Sequence, residues 1–182
     1  VNYTAVTGGS IKNLNSLAKG DVEFGMCQSP TIHEGITGTG SFKKPLKSLR
    51  FVTAIYPMPM HILYHDDSIK SIADFKGKRI DYGAIGQGIE VYTRITLNAY
   101  GITDNDVKID RYGKAESTEA IKTGGVQGNF WTTTAPNAQV TDMLTGGVKL
   151  LSMDEDKRQE IVKNYPYFAL ATIPAGTYKD HG

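Results

Sequence analysis

Three glycines stand between a polar strand and an amphipathic helix in the stretch Asp81–Gly101, DYGAIGQGIEVYTRITLNAYG. Gly83, Gly86 and Gly88 carry no Cβ, so the backbone there can approach a ligand closely. Ile89, Tyr92, Ile95 and Ala99 recur at helical spacing, Glu90 falls in the first turn and Gly101 marks the stop. The free N–H groups of a helix start form an anion site. Gly9-Ser10, Ser29-Pro30 and Ala135-Pro136 read as three more such starts. If the four converge, they offer backbone N–H groups and the side chains of Ser10, Gln28, Ser29, Gln87, Thr132 and Thr133. That set suits a small anion, a carboxylate first, held without a dedicated arginine; each helix terminus contributes about 0.3–1 kcal/mol. Ordinary capped turns are the competing reading.

Other residue types point elsewhere. Tyr56 and Trp131 are candidate cleft walls, since an aromatic ring offers an apolar face and a polar handle; core packing is the alternative for both. His61 and His65 are four apart, but the flanking sequence is strand-like, which sets them roughly 13 Å apart and argues against a shared metal. The remaining histidines are His33 and His181. Cys27 lies in an apolar alternation and reads as a small buried hydrophobe. No serine, cysteine or histidine pattern suggests a nucleophile with its base. Gly83–Gly88 followed by Asp110 resembles a nucleotide fingerprint. The spacing is G-x-x-G-x-G, however, and Arg79–Tyr82 is too polar for the buried central strand of a dinucleotide fold.

The elements that must position these residues alternate. The patterns predict strands over residues 1–6, 21–27, 49–55 and 61–65, then at 79–82, 107–110, 126–131, 148–153 and 167–173. Helices are expected after Ser10, Ser29, Ser71, Gly88, Lys114, Pro136 and Asp154. The order implies an α/β fold with mostly parallel sheets. Tyr56-Pro57-Met58-Pro59-Met60 excludes a helix interior and reads as a crossing between two lobes. LAKGDVEFGMCQSPT and IKTGGVQGNFWTTTAPN share one design, namely helix, glycine stop, strand, polar loop and proline. The expected division is residues 1–62 as a partial first lobe, 63–152 as a second lobe, and 153–182 as a return segment.

Composition narrows the class. The chain has 182 residues, formal net charge +1 and 40% hydrophobic residues. Charges of both signs are interspersed, so nucleic acid is not an expected partner. No apolar run is long enough to span a bilayer, and direct membrane insertion is not expected. The single cysteine excludes an internal disulfide. Val1 falls inside a strand pattern, so a signal peptide in the precursor and further chain at both ends are expected.

TGGSIKNLNSLAKGDVEFGMCQS, LRFVTAIYPMPMHIL, IADFKGKRIDYGAIGQGIE, NFWTTTAPNAQV and YPYFALATIPAGTY together resemble the TAXI group of solute receptors. These are the extracytoplasmic binding proteins of tripartite ATP-independent periplasmic (TRAP) transporters. The resemblance implies a two-lobed, type II periplasmic-binding-protein fold that closes over a small carboxylate such as glutamate or 2-oxoglutarate. It implies no enzymatic activity and no cofactor, a periplasmic location, and TRAP membrane subunits as partners. Carried over residue by residue, Gly9, Ser10, Gln28, Ser29, Tyr56, Gly86, Gln87, Gly88 and Trp131 line or abut the cleft, with Ile89, Thr132 and Thr133 beside them. Gln87 stands where serine or threonine is common, and Trp131 where tyrosine is common. Met58 replaces a frequent acidic residue. If that acid holds an ammonium group, its absence favours a keto- or hydroxy-acid over an amino acid.

Overall fold

A computed structural model describes residues 4–179. The chain divides into two compact units. Unit 1 is Val1–Ala54 with Gly86–Gly88, and unit 2 is Ile55–Ile85 with Ile89–Gly182.

Unit 1 is built on two helices, α1 (Ser10–Lys19) and α2 (Ser29–Thr37). Leu14 is buried, and Gly35 lets α2 approach its side chain. Both helices end on left-handed glycines, Gly20 at φ 80° and Gly38 at φ 71°. No strand forms among the described residues of this unit. The strand expected over residues 1–6 lies partly outside the described residues, and its remainder is unpaired. Those expected at 21–27 and 49–55 form no strand either, and the backbone bends at Asp21 and Glu23. Alternating apolar residues make a strand only when a neighbouring backbone takes up the N–H and C=O groups. Here Phe24 and Phe51 are 80% and 75% exposed instead.

Unit 2 carries a five-stranded sheet. Its strands are β1 (Met60–Tyr64), β2 (Arg79–Asp81), β3 (Lys108–Asp110), β4 (Gly128–Thr132) and β5 (Lys149–Leu151), in the order β3-β2-β4-β1-β5. The fold is α/β as expected, but the sheet is mixed and not mostly parallel, because β1 enters it antiparallel to both of its neighbours. β2 runs parallel to β3 and β4, while β1 runs antiparallel to β4 and β5. The residues 167–173 do not form a strand. The polar strand Arg79–Asp81 lies inside the sheet, between β3 and β4, with Ile80 and Asp81 buried, although its polarity argued against a buried central strand.

Strand periodicity sends alternate side chains to opposite faces. Ile62 pairs with Phe130 on one face, where Ile69, Ile72, Phe75, Ile80 and Leu97 complete a core. Leu63 and Trp131 point to the other face, into a second core with Ile121, Val140, Met143 and Leu144. Four helices serve the sheet. They are α3 (Ile89–Ala99), α4 (Lys114–Lys122), α5 (Ala138–Thr145) and α6 (Glu155–Asn164). α3 packs on β4 and α6, and α4 packs on β4 and α5. The segment Ile72–Phe75 is a single 3₁₀ turn closed by a Ser71–Asp74 capping box.

Candidate functional site

The starts of α1 and α2 lie side by side. The Gln28 N–H donates to Ser10 Oγ at 3.1 Å, and Asn13 Nδ2 donates to the Met26 carbonyl at 2.8 Å. Ser10 is the first helical residue and Gly9 is the N-cap, in place of the expected Ser10 cap. Gln28 is the N-cap of α2, with Ser29 and Pro30 opening the helix. Neither start has a side-chain cap bond. The cap side chains therefore do not occupy the first-turn N–H groups, the donors that an external anion would use.

The glycine segment belongs to this arrangement. A Cβ built on Gly9 would stand 2.6 Å from the Gly86 carbonyl oxygen and 3.2 Å from Gln87 Cα. A Cβ built on Gly88 would fall on Gln28 Oε1, with Thr31 Oγ1 at 2.8 Å and Ser10 Oγ at 3.2 Å. Three side-chain oxygens thus converge on one glycine. Six expected site residues, Gly9, Ser10, Gln28, Gly86, Gln87 and Gly88, come together here, and Ser29 opens the same α2 turn. Sequence reasoning missed Thr31. It is fully buried, and its hydroxyl has no hydrogen-bond partner. Its place behind Ser29-Pro30 in a helix first turn gave no signal beyond ordinary cap composition.

The other expected residues belong to unit 2. Ile89 opens α3 and packs partly on the first core. Tyr56 is half exposed, and Trp131 packs in the second core with 9% of its surface accessible. Thr132 ends β4, and Thr133 Oγ1 accepts from Asn137 Nδ2 at 3.0 Å. The start of α5 is capped, because Asn137 Oδ1 accepts from the N–H groups of Gln139 and Val140. Pro136 precedes this helix instead of opening it. The Asn137 carboxamide thus occupies donors that an anion would need, and Ala135-Pro136 does not form an open site.

Charge near α3 is internally matched. Arg111 grips Glu90 through two bonds of 2.6 and 2.8 Å, while Arg94 bridges Glu90 and Asp104. Arg111 and Arg94 hold the Glu90 carboxyl below its ordinary range. Asp110 pairs with Arg79 at 2.6 Å. The Cys27 thiol is pushed up to about 11 by burial, far from a thiolate nucleophile at neutral pH. His61 is buried and bonded to Tyr178. No cluster of His, Cys, Asp or Glu suited to a metal occurs among the described residues, and His181 lies outside them. No described helix is long and apolar enough to cross a membrane.

Solved structures place this fold. The alkanesulfonate-binding protein SsuA from Xanthomonas axonopodis pv. citri, bound to MOPS, is similar at 21% identity and TM-score 0.57, over 81% of this chain and 48% of that one. The periplasmic aliphatic sulphonate binding protein SsuA from Escherichia coli matches at 19% identity and TM-score 0.54, over 79% and 44%. An ancestral arginine-binding protein bound to arginine matches at 19% and 0.52, over 91% and 72%. The chain therefore spans less than half the length of the sulfonate-binding relatives and has the α/β fold of periplasmic binding proteins. Across its whole length, residues 1–182, it matches the model of the NMT1-like family, and it belongs to that family.

Proposed function

We propose that the chain is the ligand-binding part of an extracytoplasmic solute receptor, a binder and not an enzyme, that captures a small carboxylate and delivers it to membrane transport subunits. The carrying observation is the convergence of two uncapped helix starts on Gly86–Gly88. Such a site recognises an oxyanion through backbone N–H groups and hydroxyls, with water excluded. The arginines of α3 and its neighbourhood are already paired with carboxylates, in keeping with an anion held by helix starts. Met58 favours a keto- or hydroxy-acid over an amino acid.

Titration calorimetry and thermal melts with L-glutamate, 2-oxoglutarate, succinate, ethanesulfonate and NAD test this reading. A carboxylate at a hundredfold over its Kd adds about 2.7 kcal/mol of stability. Gly88→Val is expected to abolish that binding with the fold retained, because its side chain would occupy the space held by Gln28, Thr31 and Ser10. Binding of ethanesulfonate alone would replace carboxylate with sulfonate, the ligand class named for the two sulfonate-binding relatives. Binding of NAD alone would overturn the receptor reading in favour of a nucleotide enzyme.

The TRAP partnership rests on the sequence motifs, whereas one sulfonate-binding neighbour, from Methylobacillus flagellatus, is a periplasmic protein of a sulfonate ABC transporter. Solute uptake that persists when ATP is depleted supports the TRAP assignment. Tyr56, Trp131, Thr132 and Thr133 are proposed as further ligand residues. Tyr56→Ala tests this most cleanly, since a half-exposed ring can be truncated without opening the core. Weaker binding at an unchanged melting temperature supports the assignment.

A further inference from the structure

Thr31 is the one residue at the α1–α2 site whose polar atom is both fully enclosed and without a partner. Its hydroxyl lies in the first turn of α2, 2.8 Å from where a Gly88 Cβ would stand. Its neighbours there are engaged, with Ser10 Oγ accepting from the Gln28 N–H. A buried hydroxyl that makes no hydrogen bond is destabilising, and protein interiors seldom tolerate one. Leaving one beside two uncapped helix starts is physically consistent when a ligand oxygen supplies the missing acceptor.

We infer that the Thr31 hydroxyl is a ligand-contacting, specificity-determining group, donating its proton to an oxygen of the anion bound at the starts of α1 and α2. This rests on the receptor reading above and names the donor that the backbone N–H groups cannot supply. The hydroxyl has no accessible surface in this structure, so ligand entry includes a shift of Gly86–Gly88 away from it. Gly86 can provide the pivot. It sits at φ 89°, and a Cβ there would meet nothing within 4 Å. A hydroxyl donor paired with helix N–H groups selects an oxyanion over an isosteric amide or alcohol, because only the anion accepts from every donor at once.

The test compares wild type with Thr31→Val and Thr31→Ser by calorimetry against L-glutamate, 2-oxoglutarate, succinate and ethanesulfonate, alongside ligand-free melts. Thr31→Val is expected to bind about tenfold more weakly, equivalent to about 1.4 kcal/mol. Without ligand it should melt no lower than wild type, since an unpaired hydroxyl has been replaced by a methyl of the same shape. Thr31→Ser should restore the affinity. Unchanged affinity in Thr31→Val overturns the inference and leaves the receptor reading standing. So does a ligand-free melt well below wild type, which would mean that the hydroxyl bonds within the fold. Failure of Thr31→Ser to bind assigns the effect to the methyl and also overturns it. If no probe binds wild type, the receptor reading itself falls, and the inference falls with it.

Discussion

His61 and Tyr178, 117 residues apart, are joined by a 2.7 Å hydrogen bond between the imidazole Nε2 and the phenol oxygen. His61 Nδ1 lies 3.2 Å from the Pro59 carbonyl, which can only accept, so Nδ1 carries the proton. Nε2 is then the acceptor, and Tyr178 donates to it. The Tyr178 oxygen in turn accepts from the Asn137 N–H at 3.2 Å. One phenol thereby links β1 to the capping residue of α5, and through Asn137 Nδ2 to Thr133. Tyr178→Phe keeps the ring and removes the link, leaving a buried ring nitrogen and a backbone N–H unpaired. The expected loss is about 1–3 kcal/mol in urea unfolding, or several degrees in melting temperature.

The same pair sets a pH dependence. Burial holds the His61 imidazole below its ordinary value of 6.5. The unfolded chain takes up a proton near pH 6.5, whereas the folded chain resists until lower pH. The unfolded state therefore binds more protons across that window, and stability rises with pH there. His61's contribution is complete above pH 6.5 and is lost as pH falls through the folded-state value, with a slope of at most about 1.4 kcal/mol per pH unit. Urea titrations between pH 5 and 8 should show this slope, and His61→Gln should flatten it. Asp106, held at about 2 by Thr103 and Lys76, titrates well below the window and does not contribute to it.

The alternation of apolar residues identified β1, β4 and β5, while helical spacing with cap, proline and glycine signals identified the starts of α1 through α6 to within a residue or two. Alternation failed where the pattern lacked a partner. Val22, Phe24 and Met26 alternate as faithfully as the β4 residues do. β4, however, lies between β1 and β2, while no ladder reaches residues 21–27. Polarity misled in the opposite direction at β2. Arg79–Tyr82 read as too polar for a buried central strand, yet Asp81 is buried because three donors converge on its carboxylate, and those donors come from residues up to 36 positions away. At the site, glycine spacing and helix-start composition pointed to Gly9, Ser10, Gln28 and Gly86–Gly88. They could not separate the open starts of α1 and α2 from the α5 start. That distinction depends on where the Asn137 carboxamide points.

Gly128 lies on β4 opposite Ile80 of β2. A Cβ there would stand 2.7 Å from both Ile80 Cδ1 and Phe75 Cε1. Both atoms are in the first core, which has no room to yield. Gly128→Ala should therefore destabilise by about 1–3 kcal/mol through overpacking, despite the better strand propensity of alanine. Gly77→Ala provides a contrast. It faces open space at φ 79°, so its cost would come from backbone strain and not from packing. Only the Gly128 variant should recover when Ile80→Val removes the opposing methyl group. Equilibrium unfolding of the three single variants, and of Gly128→Ala and Gly77→Ala each combined with Ile80→Val, measures this.

Asp81 is the buried carboxylate on which the chain turns out of β2. Its Oδ1 accepts from the N–H groups of Gly83 at 2.8 Å and Tyr112 at 3.1 Å, and its Oδ2 from Ser117 Oγ at 2.5 Å. The Ser117 oxygen also accepts from Asn129 Nδ2 at 2.6 Å, which fixes the direction of the hydroxyl proton. Every donor in this cluster has one acceptor, and among the described residues no lysine or arginine forms an ion pair with Asp81. Asp81→Ala would orphan three donors at once, and at roughly 1 kcal/mol each the expected loss is about 3 kcal/mol. Ser117→Ala would orphan Oδ2 and the Asn129 amide and should cost less. The double variant should cost clearly less than the sum of the two, since each removes a partner the other needs. Additive losses in a double-mutant cycle would show that the two residues act independently. A coupling of 1 kcal/mol or more would establish the cluster as the unit that fixes the root of the glycine segment at Gly83.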